Sequence, residues 1–222
     1  MKISSETLNI LKNFSTINQS LIVEPGNILK SISPMKNILV YSEVSENFPS
    51  RFAIYELTQF LSGLTLFKDP DFDFSNSSYV IISNGKSKVK YFFSDPSLIT
   101  SPPEKDLKLP SIDVNFNLSS ETLNILQRAS VIYNLNDLSV VGNEGQIQLV
   151  VSDNKNNTSN NYCVDIGKTD AKFKFNFKVE NIKILAGDYD VSISSGGISL
   201  FENTSRNLKY WIALEPDSNW EK

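Results

Sequence analysis

The octapeptide Ser-Ser-Glu-Thr-Leu-Asn-Ile-Leu occurs twice, at residues 4–11 and again at residues 119–126, an offset of 115 in a chain of 222. An identical word at a domain-sized spacing marks a chain built from two versions of one unit, so the fold of the first half should broadly recur in the second. The expected division is residues 1–110 and 111–222, each of ordinary domain size.

Both octamers read as helix starts, with serine at the cap and glutamate in the first turn, where the helix dipole favours negative charge. At about 100° per residue, Leu8, Ile10, Leu11, Phe14 and Ile17 share one side of the first helix. Ser5, Glu6, Asn9, Lys12, Asn13 and Thr16 are left outward. In the second copy Leu123, Ile125, Leu126, Ala129 and Ile132 are expected inward. Ser120, Glu121, Asn124, Gln127 and Arg128 are expected outward, with Val131 an apolar residue on the polar side. Each outward stripe holds amides, hydroxyls and one cation, which suits loose contact with a polyanion.

Most of the remaining chain reads as short strands. Apolar runs at 20–23 and 28–32 form a hairpin about Glu24-Pro25-Gly26-Asn27, residues 37–43 a third strand, and 79–83 with 86–93 a further hairpin about Asn84-Gly85. Between them residues 52–64 place Ile54, Leu57, Phe60, Leu61 and Leu64 at helical spacing. Residues 94–110 carry Pro96, Pro102, Pro103 and Pro110 and read as an extended connector. Alternation of Ile112, Val114, Phe116 and Leu118 then leads a strand into the second octamer, with residues 1–3 as its shorter counterpart. Strands at 139–141, 146–152, 162–166 and 173–177 follow, with a polar loop at 153–161. A short helix at 179–186, stopped by Gly187, and strands at 189–194, 198–202 and 210–214 complete the plan. The fold class is α+β, two similar domains each with two helices packed on antiparallel sheets.

The net charge is −4; residues 1–110 balance their charges and the surplus of acids lies in residues 111–222. This is not the basic profile of an ordinary DNA-binding domain. There is no histidine, which excludes histidine-based triads and the commonest metal ligand. The single cysteine, Cys163, falls in an expected strand and reads as a buried small hydrophobe. Asp69-Pro70-Asp71-Phe72-Asp73 resembles a calcium loop only superficially, because Phe74 stands where glycine is needed and Val80 where the bidentate glutamate belongs; it reads as a solvated acidic turn. Ser195-Gly196-Gly197-Ile198 lacks the lysine and hydroxyl residue of a phosphate-cradling loop. No catalytic residue, metal site or cofactor is expected. Neither a secretory leader nor a membrane-spanning stretch is evident, so an intracellular protein without membrane contact is expected. The repeat and the strand content would also serve a β-rich structural assembly protein, such as a virion component.

Collinear segments settle on one family: Met1-Lys2-Ile3-Ser4, Leu11-Lys12-Asn13-Phe14, Thr16-Ile17-Asn18, Ala53-Ile54-Tyr55-Glu56-Leu57, Phe60-Leu61, Asp95-Pro96-Ser97, Gly187-Asp188-Tyr189 and Ala213-Leu214-Glu215-Pro216-Asp217-Ser218. In order from first residue to last, they resemble the DNA polymerase sliding clamp of T-even-type bacteriophages. The resemblance implies a homotrimeric ring with helices lining a central hole for double-stranded DNA and sheets outside. It also implies tethering of the replicative DNA polymerase, loading by a clamp-loader ATPase, and activation of late transcription through RNA polymerase and a late sigma-like factor. The setting would be the cytoplasm of the infected bacterial host.

On that resemblance Asn9, Lys12, Asn13 and Thr16 of the first helix and Asn124, Gln127 and Arg128 of the third face DNA, joined by Lys178, Asn181 and Lys183 around the fourth. A neutral or acidic chain suits this task, since a closed ring holds the duplex by topology and tight counterion-releasing contacts would hinder sliding. Lys86, Lys88 and Lys90 alternate before Tyr91-Phe92-Phe93. Such lysines commonly guard a sheet edge. The sharper expectation is that Lys90, Phe92 and Phe93 of one subunit meet Tyr162 and Val164 of the next by strand addition. Tail peptides of partner proteins are expected at an apolar pocket near the connector, with Leu107, Leu109, Ile112 and Trp211 as its candidate lining.

Overall fold

A computed structural model describes residues 1–222 except Asp106, Asn157 and Lys222. The chain divides into two compact units, Met1–Lys105 and Asp106–Lys222, the division falling inside the proline-rich connector.

The first unit opens with α1 (Ser5–Ile17), capped by Ser4, whose Oγ accepts the Thr7 N–H at 3.2 Å. The helix stops where Asn18 turns extended; its amide donates to the Ile32 carbonyl and accepts the Ser20 N–H, fixing the exit of the chain. Ile10, Leu11, Phe14 and Ile17 are buried as the spacing predicts, whereas Leu8 is only half-buried and the polar Thr7 is buried instead. The run expected to form a hairpin does not: β1 (Leu21–Val23) pairs antiparallel with β4 (Phe52–Ile54), while β2 (Gly26–Ile32) pairs with the long β3 (Ile38–Phe48). Both β1 and β4 are apolar triplets buried at every residue, so each needs cover on two faces, which a solvated hairpin cannot supply. The turn residues serve β2 instead, Gly26 taking the left-handed φ of 113° that an ordinary residue avoids. The second helix is correspondingly shorter than expected, α2 (Leu57–Leu64), because residues 52–54 are strand.

The acidic stretch also departs from expectation. Asp71–Asp73 is strand β5, joined to β6 (Tyr79–Ser83) and β7 (Lys88–Phe92) in a three-stranded antiparallel sheet, with Phe72 buried. The β6–β7 turn forms at Asn84-Gly85 as its dipeptide demands, closed by Asn84 N–H to Ser87 carbonyl. Residues 1–3 form no strand, but Met1 and Phe72 exchange two hydrogen bonds, Met1 N to Phe72 O and Phe72 N to Met1 O. Phe48, Phe52, Phe72, Phe74 and Phe93 cluster over this unit, Phe93 stacked on Phe52 at 4.9 Å. The connector begins with a 3-10 turn at Pro96–Leu98, after which Ile99 buries against Ile22 and Ala53.

In the second unit β8 (Val114–Leu118) leads into α3 (Ser120–Tyr133), which repeats the same cap, Ser119 Oγ accepting the Thr122 N–H at 3.1 Å. β9 (Asp137–Asn143), β10 (Gln146–Ser152), β11 (Tyr162–Lys168) and β12 (Lys172–Lys178) follow. β13 (Tyr189–Ser194), β14 (Ile198–Asn203), β15 (Leu208–Ala213) and β16 (Asn219–Glu221) complete the unit. One sheet runs β11-β10-β9-β12-β16; β8, β13, β14 and β15 hydrogen-bond in the order β15-β14-β13-β8. The β9–β10 turn puts Glu144 and Gly145 at φ 50° and 83°, the pair of positive angles a two-residue hairpin loop needs. Part of the polar loop expected at 153–161, Asn157, lies outside the described residues.

Two expectations fail here. Residues 179–186 form only a 3-10 turn, Val179–Asn181. The helix is unnecessary because tyrosines serve the backbone: Tyr210 Oη accepts the Leu185 N–H and Tyr189 Oη donates to the Leu185 carbonyl. β-branched Val179, Ile182 and Ile184 also disfavour it. Ile132, expected inward, is 67% exposed, and Ser130 is buried in its place, its hydroxyl donating to the Leu135 carbonyl as α3 closes on the left-handed cap Asn134.

Candidate nucleic-acid interface and sheet edges

The octamer helices present two matching polar stripes. Asn9, Lys12 and Thr16 are exposed on α1 with Asn13 half-buried beside them, and Asn124, Gln127 and Arg128 are exposed on α3. The rest of each stripe is uncharged apart from Glu6 and Glu121, so neither helix surface carries a net positive field.

The third group expected to face DNA does not form such a stripe. Lys178 ends β12, and its ammonium pairs with the buried Asp137 carboxylate; that contact raises the Lys178 pKa. Asp137 also accepts the Asn154 N–H at 2.8 Å, so this ion pair ties β9 and β12 to the following loop. Asn181 sits on the 3-10 turn and Lys183 beyond it, both half-buried and on no helix. Lys178 is therefore occupied by folding, and the absence of a fourth helix removes the face that Asn181 and Lys183 were expected to share.

Among the described residues, two of the sheets end in a strand with a free edge. In the first unit β5 is closed by its hydrogen bonds to Met1, whereas β7, among the described residues, pairs only with β6. In the second unit β12 is covered by β16, whose Trp220 stacks on Phe173 and Phe175, whereas β11, among the described residues, pairs only with β10. Phe173 packs so closely over Gly142 that a methyl group there would lie 2.3 Å from its ring. The open β7 carries Phe92, 62% exposed, and Lys90, whose ammonium sits 3.8 Å from the centre of the Tyr79 ring. The open β11 exposes Tyr162, and Val164 is half-buried. Cys163, expected to be buried, is exposed on this edge. Phe93 lies beyond the end of β7 and its ring belongs to the phenylalanine cluster of its own unit, not to the open edge.

Two exposed apolar groups, of which sequence reasoning had noted only Val131, adjoin these edges. α3 packs against β10 and β11, and its last turn exposes Val131, Ile132 and Tyr133. α2 contacts β7 through Phe60 and Tyr91, and Leu66 just beyond α2 is 79% exposed. The signal was available in Val131, Ile132 and Tyr133, three consecutive large apolar residues that one buried helix face cannot accommodate.

The residues expected near a peptide pocket are divided. Leu107 and Ile112 are exposed and Leu109 half-buried on the segment before β8. Ile112 is held in place by its neighbours: Ser111 Oγ bonds Ser194 Oγ at 2.7 Å, and the Asp113 carboxylate accepts both Ser111 Oγ and the Ser195 N–H. Trp211 is buried on β15, and its buried indole N–H has no hydrogen-bond partner among the described residues. Among the described residues there is no cluster of three or more metal-ligating side chains, and no helix is long and apolar enough to cross a membrane.

Comparison with known proteins shows which class of protein is built from two such helix-and-sheet units: DNA clamps. Residues 4–100 match the family model described as DNA polymerase processivity factor, and residues 115–216 that of gp45 sliding clamp, C terminal. The sliding clamp of Vibrio phage KVP40 is 31% identical over 221 residues, covering 97% of this chain and 99% of the relative; that of Enterobacteria phage T4 is 27% identical, covering 98% of each. Among solved structures, PCNA of A. fulgidus, with the C-terminal region of FEN-1 bound, superposes at a TM-score of 0.69 with 12% identity over 96% of each chain. The chain belongs to the sliding-clamp family, the processivity factors of DNA polymerase. Its relatives are replication proteins, not the virion components that the residues alone would also have allowed.

Proposed function

We propose that three copies of the chain close into a ring through β7 of one and β11 of the next, and that the ring encircles duplex DNA with the stripes of α1 and α3 turned inward. The observation that carries this reading is the pairing of defects. Among the described residues β7 in the first unit and β11 in the second are each end strands of their sheets, and each lies beside exposed apolar side chains of a neighbouring helix end. Strand addition would satisfy the backbone groups of both edges, and Leu66 on one side with Ile132 and Tyr133 on the other would bury apolar surface at about 25 cal/mol per Å².

The inward stripes suit sliding. With one cation per helix the duplex is retained by enclosure, and rapid exchange between phosphates is not slowed by strong contacts. The ring would then tether the replicative polymerase, be opened by a clamp-loader ATPase, and serve RNA polymerase in late transcription. Partner tail peptides would dock near Leu107, Leu109 and Ile112, where Leu107 and Ile112 are exposed apolar side chains. A titration with a polymerase tail peptide that is unaffected by Leu109→Glu contradicts that location.

Light scattering tests the assembly: a mass three times that of one chain is expected, collapsing to a single chain in Phe92→Glu. A monomer in the unsubstituted protein, or an unchanged trimer in the variant, contradicts the proposed contact.

A further inference from the structure

The two octamer helices begin with the same eight residues and the same serine cap, yet they are fastened to their units differently. At α1 the carboxylate of Glu46, on β3, accepts the Ser4 N–H through Oε1 and the Thr7 hydroxyl through Oε2. Glu46 is 7% exposed and Thr7 1%, and β3 places Glu46 at an inward position between Val44 and Phe48, where its alternation calls for an apolar side chain. At α3 the counterpart of Thr7, Thr122, is only half-buried and, among the described residues, donates to no carboxylate; the exposed Asp188 accepts the Ser120 N–H instead. A carboxylate buried at a strand position costs desolvation. Two charge-assisted hydrogen bonds and the positive end of a helix offset that cost.

We propose that Glu46 is a positioning residue for DNA: it fixes the angle and register of α1 against β3 and so the placement of Asn9 and Lys12, while α3 has no equivalent lock. The inference rests on the reading that both helices face the duplex. Both oxygens of the carboxylate are used, one on the backbone of the cap residue and one on the first turn, so α1 can neither rotate about its axis nor slide along it without breaking a bond. Glutamine at this position keeps the shape and one acceptor but presents an NH₂ to a donor, breaking one of the two hydrogen bonds.

The octamer supplies its own control. A photo-crosslinking residue placed at Asn9 or at the equivalent Asn124 reports the approach of each helix to DNA in clamp loaded on a nicked circle. Hydrogen exchange of peptides spanning α1 and α3 in the free protein reports their anchoring. Glu46→Gln is expected to speed exchange in the first turns of α1 about tenfold, equivalent to ~1.4 kcal/mol, and to cut the Asn9 crosslink several-fold. The α3 exchange and the Asn124 crosslink should not change. Thr7→Val, a milder change should Glu46→Gln fold poorly, is expected to act in the same direction, and Thr122→Val to leave the Asn9 crosslink unchanged. Equal loss at both helices, or no loss at Asn9, overturns the proposal. Should neither position crosslink in the unsubstituted protein, the DNA-facing reading fails, and unchanged α1 exchange in Glu46→Gln would then dismiss Glu46 as the lock of α1 on its own account.

Discussion

The Trp220 ring lies 6° from parallel with that of Phe175, their centres 5.9 Å apart, and this stack fastens the three-residue strand β16 over the edge of β12. So short a strand contributes few backbone bonds, and its hold depends on the indole. Trp220→Ala is expected to lower stability by about 1–3 kcal/mol, below the usual cost of a fully buried tryptophan because Trp220 is half-exposed. Urea unfolding of the variant measures it. The newly bared β12 edge should also promote association, read as a rise in scattered light at high concentration.

The native thiol at Cys163 offers a direct probe of the proposed subunit contact. With a second cysteine placed on β7, as Lys88→Cys or Lys90→Cys, mild oxidation is expected to give a disulfide between chains in at least one of the two, seen as a ladder up to three chains on a non-reducing gel. Lys30→Cys, on β2, should give none. A ladder from Lys30→Cys alone would place the contact elsewhere.

At the helix layer of the same contact, Ile132→Glu is expected to release the trimer as Phe92→Glu does, without loss of monomer stability, since Ile132 is 67% exposed in its own chain. Sedimentation velocity with a thermal melt separates the two effects. An intact trimer would restrict the contact to the strands.

Removing three of the four candidate cations should divide them. Lys12→Ala and Arg128→Ala are expected to leave stability within about 0.5 kcal/mol of the parent. They should also flatten the salt dependence of encounter with linear DNA by about 0.9 in log–log slope for each phosphate no longer neutralised. Lys178→Ala should do the reverse. It strands the buried Asp137 carboxylate and is expected to destabilise by about 1–3 kcal/mol, less than for a fully buried pair because Lys178 is partly exposed.

Glu46 also sets a pH response. Burial pushes its carboxyl up, and the hydrogen bonds from Thr7 and Ser4 together outweigh burial, holding it below the ordinary glutamate value of 4.5. A group whose folded pKa is depressed stabilises fully above its unfolded value and loses that contribution as pH falls through the folded one. Melts between pH 6 and 3 should therefore show a steeper decline in the parent than in Glu46→Gln. Parallel curves would remove Glu46 as the source.

Local features were the legible ones. The serine caps, the inward residues of α1 and the Asn84-Gly85 turn depend on neighbours in sequence, and all three stand where their chemistry puts them. What escaped depends on distant partners. Nothing near Leu185 announces that Tyr189 and Tyr210 will serve its backbone in place of a helix, and nothing near Val23 announces Phe52 as its strand partner. Of the candidate site, helix stripes defined by periodicity emerged intact at Lys12 and Arg128. Lys178 did not, because its partner Asp137 lies 41 residues away.

Enclosure is the central claim, and retention on DNA of different topology tests it most directly. After loading and removal of free protein, the account predicts that the clamp stays on a closed circle and is lost within minutes once a single restriction cut gives it an end to slide from. Equal loss from cut and uncut circles, or equal retention on both, would contradict it.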